Sequence, residues 1–243
     1  MVRLSVNVNK VATLRNARGG ERPSVVEAAR VAIAAGAHGI TVHPRPDGRH
    51  IRRNDVLELA RLTAELGVEL NVEGYPSPEL LALVEEVQAA QCTLVPDPPE
   101  VLTSNAGWKL AGAGWLREVL ERLRHSGIRS SLFVDTDIDE AARARDLGAD
   151  RVELYTEAYA SAFHGGEREP VLARYVRMAQ VAAAAGLGVN AGHDLDLQNV
   201  GLFTARIPGL LELSIGHALV SDALLMGLAP AVRAYLEAMQ AGE

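Results

Sequence analysis

The chain has 243 residues, 48% of them hydrophobic and 23% charged, which is a globular composition at a length that fits one barrel-sized domain over residues 1–243. Its net charge of -7 argues against a general nucleic-acid binder, whose affinity would depend on neutralising phosphates. Because no apolar stretch nears the length of a membrane span, no signal-peptide core opens the chain, and a lone Cys92 excludes an internal disulfide, we expect a cytoplasmic protein without a membrane partner.

Eight short apolar segments alternate with helical patterns along the chain. The predicted strands are 3–8, 39–43, 68–73, 92–95, 130–135, 151–155, 187–191 and 211–215. The predicted helices are 23–36, 54–66, 78–90, 115–126, 138–147, 170–185 and 198–205, with two further helical stretches after the last strand. Segments 96–114 and 160–169 are long enough to be functional loops. Eight strand–helix units predict a closed α/β barrel, the (β/α)8 TIM barrel, with extra helices.

Several predicted strands end in residues that suit acid–base chemistry. His43, Glu73 and His193 lie at three different strand ends, and such ends meet at the C-terminal mouth of a barrel. Imidazole titrates near neutrality and a desolvated glutamate can approach it, so this trio suits repeated proton transfers. Glu153, near the end of another strand, is a fourth catalytic candidate. Two histidines and a carboxylate are also a common zinc or iron ligand set, and their spacing leaves that alternative open.

Two regions have residues that suit phosphate binding. Ser214-Ile215-Gly216-His217 leads from the last strand into a helix, where glycine lets backbone N–H groups approach an anion, although it could serve only a tight turn. Asn190-Ala191-Gly192-His193 completes that side, at a place where barrels often bind phosphate. Arg45, Arg49 and His50 follow the second strand and indicate another anion site, with a solvated surface loop as the alternative.

The segment after the first strand is rich in cations. Arg15, Arg18 and Arg22 are most simply a solvated charge run, of which one need touch a ligand. Lys10, just past the strand, is either a fixed cation or a Schiff-base nucleophile, and the second role requires desolvation. The rival function is therefore a Schiff-base aldolase or isomerase that acts on a sugar phosphate through Lys10.

Taken in order, these motifs resemble the pyridoxine 5'-phosphate synthase family of deoxyxylulose-dependent vitamin B6 biosynthesis. The resemblance implies a transferase-class enzyme that condenses 3-amino-2-oxopropyl phosphate with 1-deoxy-D-xylulose 5-phosphate into a pyridine ring, releasing phosphate and water. It also implies a barrel with extra helices, a homo-octamer built as a tetramer of dimers, and no metal or organic cofactor. The matching segments are 12–19, 39–43, 49–51, 71–73, 94–96, 131–135, 189–193 and 215–218.

The same resemblance implies a role for individual residues. His43 and Glu73 would accept protons, His193 would donate one, and Glu153 would stabilise a transition state. The residues that would hold the aminoketone phosphate are Asn7, Arg18, Gly216 and His217. Those that would hold deoxyxylulose phosphate are Arg45, His50 and Thr103.

Three positions depart from the pattern common in that family. Asn9-Lys10 stands where much of the family has Asp-His, at contacts to deoxyxylulose phosphate, and Asp194 replaces a glycine that contacts the aminoketone phosphate. Leu154-Tyr155-Thr156-Glu157 replaces a more usual Ile-His-Thr-Gly. We interpret these as a sub-branch with the same reaction, in which Asn9, Lys10 and Asp194 keep their substrate-binding positions. A changed ketose specificity is the alternative.

Overall fold

The strands close into a parallel barrel. In the computed structural model, which describes residues 1–97 and 106–241, each strand pairs with its neighbours in chain order and the eighth pairs back with the first. This closure confirms the predicted (β/α)8 fold. The strands are β1 (Arg3–Asn7), β2 (Gly39–Val42), β3 (Glu69–Gly74), β4 (Gln91–Leu94), β5 (Arg129–Val134), β6 (Arg151–Tyr155), β7 (Gly188–Gly192) and β8 (Leu210–Ile215).

Eleven helices lie among the described residues, and most surround the barrel. No helix in that part of the chain is both long enough and apolar enough to cross a membrane. The helices are α1 (Asn9–Asn16), α2 (Val25–Ala34), α3 (Arg53–Leu66), α4 (Pro78–Val87), α5 (Leu116–His125), α6 (Ile138–Leu147), α7 (Glu157–Ala162), α8 (Arg168–Ala184), α9 (Val200–Arg206), α10 (His217–Met226) and α11 (Leu228–Ala241).

Two of these helices, α1 and α7, are not predicted by the sequence patterns. The first includes Arg15, which the sequence predicts as part of a solvated charge run, and its buried residues are Val11, Ala12 and Arg15 itself. The second covers the start of the predicted loop 160–169, so that this loop is shorter than expected. Helices of eight and six residues give too few turns for a periodic apolar stripe to stand out.

The helix starts that the sequence marks most clearly are confirmed. The Ser24 side chain accepts a hydrogen bond from the Glu27 N–H at the start of α2. Ser77 does the same for Leu80 at the start of α4, where Pro78 occupies the first turn. Each hydroxyl satisfies an N–H group that has no partner inside the helix.

The inside of the barrel is polar, which differs from the branched apolar layers usual for this fold. Ser5 Oγ and Thr41 Oγ1 lie 2.7 Å apart, and Gln91 and Asn190 hydrogen bond across the barrel from β4 to β7. The intervening residues of each strand are apolar and buried in the layer beneath the helices, as Leu4 is. The core that stabilises the fold therefore lies mainly between barrel and helices, and the interior is available for hydrogen bonding.

Candidate active site

A cavity of about 300 Å³ opens at the C-terminal mouth of the barrel. Residues at or just past the ends of all eight strands line it together with residues of α1 and α10, so groups far apart in sequence converge on one space. Its walls include all four catalytic candidates and most binding candidates: Asn7, Asn9, Lys10, His43, Arg45, His50, Glu73, Glu153, His193, Asp194, Gly216 and His217.

One predicted binding residue in the described part of the chain is not among those walls. Arg18 is exposed and does not line the cavity. Thr103 lies outside the described residues. Of the three arginines in the cationic segment, Arg15 is the buried one. Its Nη2 donates to Asp55 Oδ2 at 2.9 Å. Arg15 therefore fixes α1 against α3.

His43 is held by the end of the first strand. Its backbone N–H donates to Asn9 Oδ1 at 2.9 Å, and the Asn9 N–H donates to Asn7 Oδ1 at 3.0 Å. Burial, followed by the charges of His50 and Arg45, lowers the pKa of His43 to about 3. The imidazole is therefore neutral at physiological pH and can accept a proton.

His50 stands beside His43 and is surrounded by cations. The two ring centroids lie 6.1 Å apart in an edge-on arrangement. Burial, then the charges of Arg45 and Lys10, lower the pKa of His50 to about 4. The cations Lys10, Arg45 and Arg49 around the neutral His50 make this wall of the cavity electropositive, which suits an anionic ligand.

Glu153 is buried and Glu73 is half-buried where the two side chains line the same cavity. Burial, then the negative charge of Glu153, raise the pKa of Glu73 well above its usual range. Burial, then the charge of Glu212, raise the pKa of Glu153 to about 7. Two carboxylates in one low-dielectric space cannot both ionise cheaply. The pair therefore retains a proton near neutral pH.

The polar interior of the barrel positions these carboxyl groups. Thr93 Oγ1 lies 3.3 Å from Glu153 Oε2, and the same hydroxyl lies 3.1 Å from Asn71 Oδ1. Asn7 Nδ2 approaches Glu73 Oε2 at 3.5 Å. Sequence reasoning missed this supporting layer. The alternation of polar and apolar residues in β1, β3 and β6 was the available signal, because parallel strands buried on both faces are normally apolar throughout.

Two glycines make room for the site. A Cβ at Gly192 would lie 2.7 Å from Glu153 Oε1 and 2.9 Å from the Ser214 carbonyl oxygen. A Cβ at Gly216 would lie 2.9 Å from the Asn7 Cβ. All three distances are shorter than a real Cβ tolerates in a packed structure. These glycines are therefore required by packing against catalytic candidates, a role beyond the turns expected from sequence.

His193 projects from the turn after β7 with a left-handed backbone, at φ 82°. Its Nδ1 lies 2.6 Å from Asp194 Oδ2, and its ring centroid lies 5.2 Å from that of Tyr155 in an edge-on contact. Tyr155 and Asp194 are two of the positions at which this chain departs from the pattern of the resembling family. Both of them contact the candidate proton donor.

The part of the cavity wall that follows β8 also has the features of a phosphate site. Gly216 and His217 stand at the start of α10, a helix of ten residues. The N-terminal N–H groups and dipole of a helix favour a negative charge there. His217 is exposed and lines the cavity. Because β8 pairs with β1 and β1 pairs with β2, this wall adjoins the wall of Lys10 and Arg45, and the cavity has two neighbouring anion-binding features.

Sequence reasoning gave no role to four further residues that line the cavity: Thr13, Val95, Phe133 and Leu195. Ser214, which the sequence placed in a phosphate-binding motif, also lines the cavity, and its hydroxyl hydrogen bonds to Glu73. A second cavity of about 460 Å³ adjoins the first and shares His43 and Arg45 with it. Among residues 1–97 and 106–241, no three His, Cys, Asp or Glu side chains are grouped closely enough to hold a metal ion.

The fold and the cavity define a (β/α)8-barrel enzyme whose mouth combines acid–base groups with anion-binding surfaces. Solved structures agree on the fold. Tryptophan synthase from Mycobacterium tuberculosis aligns with a TM-score of 0.67 at 15% identity, over 99% of this chain and 92% of that one. Thiamine phosphate pyrophosphorylase from Pyrococcus furiosus aligns at 0.60 and 15% identity, over 99% and 96%.

Sequence relatives identify the family. The family model for the pyridoxal phosphate biosynthesis protein PdxJ matches residues 4–241. A pyridoxine 5'-phosphate synthase of Xanthomonas axonopodis pv. citri is 54% identical, over 98% of this chain and 97% of the relative. That of Porphyromonas gingivalis is 51% identical, over 97% and 98%. The chain belongs to the PdxJ family, which confirms the resemblance seen in its motifs.

Proposed function

We propose that this protein is a pyridoxine 5'-phosphate synthase. It condenses 3-amino-2-oxopropyl phosphate with 1-deoxy-D-xylulose 5-phosphate and releases pyridoxine 5'-phosphate, inorganic phosphate and water. Relatives of that name at 51–54% identity support the assignment. The observation that carries it is one cavity that combines the proton-transfer groups with two anion-binding regions. Two phosphorylated substrates that must react with each other need that arrangement.

The chemistry of such a condensation divides among the buried groups. Joining an amine and a ketose into an aromatic ring requires protons to leave nitrogen and carbon, and water to leave after its oxygen is protonated. His43 accepts a proton, since burial keeps its imidazole neutral. Glu73 exchanges its proton within the pair that it forms with Glu153, so it acts as an acceptor once that pair has ionised. His193 donates the proton that releases water.

Glu153 acts through its charge on the reacting atoms. Its pKa of about 7 places it near the point of half-ionisation under physiological conditions. As positive charge develops on the condensing nitrogen, an adjacent carboxyl group ionises more readily and stabilises that charge. Glu153 therefore stabilises the transition state, which agrees with its place beneath Gly192 at the floor of the cavity.

The two walls hold the two phosphates. The aminoketone phosphate lies at the start of α10 against Gly216 and His217, with Asn7 between that site and Glu73. Arg18 reaches this phosphate only after a movement of its exposed side chain. Deoxyxylulose phosphate lies against Lys10, Arg45 and His50. Thr103, which is not among the described residues, is proposed to bind the same phosphate.

The same proposal includes the oligomeric state, the cofactor requirement and the cellular compartment of the enzyme. The chain works as one barrel domain without metal or organic cofactor, in the cytoplasm. It assembles with copies of itself into an octamer made of four dimers. The exposed side chains of Leu224 and Leu225 at the end of α10, which are 72% and 92% exposed, supply apolar surface for contacts between copies.

Product analysis tests the proposal directly. The purified protein, treated with a chelator and then supplied with both phosphates, should form a pyridine chromophore and free phosphate in equal amounts. Replacement of His193 by Asn should reduce kcat by roughly 10²–10⁴-fold with little change in KM. No chromophore from the wild-type enzyme would refute the function. Recovery of activity by one divalent ion would refute the metal-free chemistry.

Lys10 distinguishes this function from a Schiff-base aldolase or isomerase. Its side chain is exposed, whereas an imine-forming lysine is normally desolvated. It acts on His50 as a fixed cation. Lys10→Arg should therefore retain most activity, and Lys10→Ala should mainly raise the KM for deoxyxylulose phosphate. A Lys10 adduct trapped by borohydride with a ketose phosphate would favour the aldolase instead.

A further inference from the structure

The ring of His193 is bound on one side by a carboxylate that much of the family lacks. His193 Nδ1 and Asp194 Oδ2 lie 2.6 Å apart, a short distance even for a charge-assisted hydrogen bond. The Tyr155 ring meets the imidazole edge-on at 5.2 Å, from the neighbouring strand. The left-handed backbone at His193 lets adjacent side chains meet in this way. Three separate constraints therefore fix one imidazole.

The contact determines which nitrogen of His193 carries hydrogen. The hydrogen bond with His193 is the main reason that the pKa of Asp194 lies below its usual value. An ionised carboxylate can only accept, so Nδ1 must donate and Nε2 is left to exchange protons. A carboxylate that orients a histidine in this manner is known from other acid–base sites, where loss of its charge produces the wrong tautomer.

We propose that Asp194 is a positioning residue of the synthase, which holds His193 as the Nδ1–H form and leaves Nε2 to deliver the proton to substrate. This inference rests on the proposed function. It assigns to the Asp194 carboxylate a role other than the substrate contact expected from sequence. A glycine at this position, as the resemblance implies for much of the family, has no side chain that could supply this contact.

The pairing has an electrostatic consequence for the adjoining phosphate site. While His193 is protonated, its charge offsets that of Asp194, and the pair is neutral toward an anion. After His193 gives up its proton, the pair is negative and faces His217 at the start of α10. The other titratable groups near it are Tyr155 and Glu153 of β6. Proton donation therefore weakens the hold on phosphate on that side of the cavity.

Asp194→Asn tests the role, because it keeps the size of the side chain and removes its charge. We expect kcat to fall roughly 10- to 10³-fold, while KM for the aminoketone phosphate stays the same or decreases. In protein labelled with ¹⁵N-histidine, the His193 signals should change from a single Nδ1–H form to a mixture of tautomers. Inorganic phosphate, used as a probe, should bind more tightly to the variant above neutral pH.

Glu157→Gln is the matched control, since it removes one exposed acidic charge close to Tyr155 without touching His193. It should leave kcat and the tautomer unchanged. Asp194→Asn with normal kcat would overturn the proposal, as would a raised KM alone or an unchanged tautomer. The NMR measurement needs no substrate. A wild-type enzyme that makes no product would therefore refute the synthase function separately from the tautomer assignment.

Discussion

Strand β3 has a glutamate at its first residue, Glu69, and another, Glu73, next to its last, and the two side chains have opposite environments. Glu69, at the N-terminal end of the barrel, is bound by Arg3 at 2.7 Å and by Arg129. Partial burial opposes its ionisation, but the hydrogen bonds from the two arginines outweigh this and lower the pKa of Glu69. Glu73, at the mouth, is half-buried where it lines the same cavity as Glu153, and its pKa is raised.

The difference shows how one barrel separates stability from chemistry. At the closed end, charges are paired, and the network ties β1, β3 and β5 together. At the mouth, like charges are buried together, which costs stability but leaves protons ready to transfer near neutral pH. Glu69 and Glu73 are four residues apart on β3, and both side chains point into the barrel interior. This short distance therefore separates the paired charges of the closed end from the like charges of the mouth.

The largest expected effect is on activity at the mouth. Glu73→Gln should lower kcat by roughly 10²–10⁴-fold, because the variant can neither accept nor return a proton. Its free energy of unfolding should not fall, since a buried amide avoids the cost of a second carboxylate next to Glu153. Steady-state kinetics and urea unfolding measure the two quantities. Loss of stability together with activity would mean that Glu73 is a structural residue.

The next effect concerns pH and stability. Glu153 has a pKa of about 7 when folded, above that of an unfolded carboxyl group, so the folded state binds the extra proton. Its contribution to stability is therefore complete at low pH and is lost as pH rises toward 7. Glu153→Gln should unfold like wild type near pH 4 but be more stable near pH 8, by on the order of 3 kcal/mol. If the free energies of unfolding of Glu153→Gln and wild type differed by the same amount at both pH values, the raised pKa of Glu153 would be contradicted.

At the closed end of the barrel, replacing the glutamate should lower the free energy of unfolding instead of raising it. Glu69→Gln leaves Arg3 and Arg129 without their shared carboxylate, so unfolding free energy should fall by about 1–2 kcal/mol at neutral pH. Since the pKa of Glu69 is lowered in the folded state, this difference should disappear as the pH falls through the acid range. The kcat should be unchanged. A lowered kcat would show that the two ends are coupled.

The smallest effect is expected at Asn9, a residue of the mouth with a neutral amide where much of the family has the carboxylate of Asp. Only its Oδ1 is needed to accept from the His43 N–H. Asn9→Asp, which restores the residue common in the family, should therefore change kcat less than about threefold, whereas Asn9→Ala should lower it by about tenfold, equivalent to one lost hydrogen bond. If both variants behave alike, Asn9 is not what positions His43.

Much of the fold was predictable because its signals are local. Each strand of the barrel is a short apolar run between helical patterns, and Ser77-Pro78 marks a helix start by hydrogen bonding that involves only neighbours in sequence. The placement of His43, Glu73, Glu153 and His193 around one cavity also followed from sequence, because strand ends of a barrel must converge. The helices α1 and α7 were missed, since so few turns give no clear period.

Tertiary structure decided the chemistry of the individual groups. The sequence placed Glu69 and Glu73 on one strand but could not give them opposite pKa shifts, which depend on arginines from β1 and β5 and on a carboxylate from β6. Likewise, Asp194 was assigned to substrate by its position, and only the left-handed turn after β7 sets its carboxylate against His193. Ionisation and hydrogen bonding depend on distance and burial, and residues distant in sequence determine both.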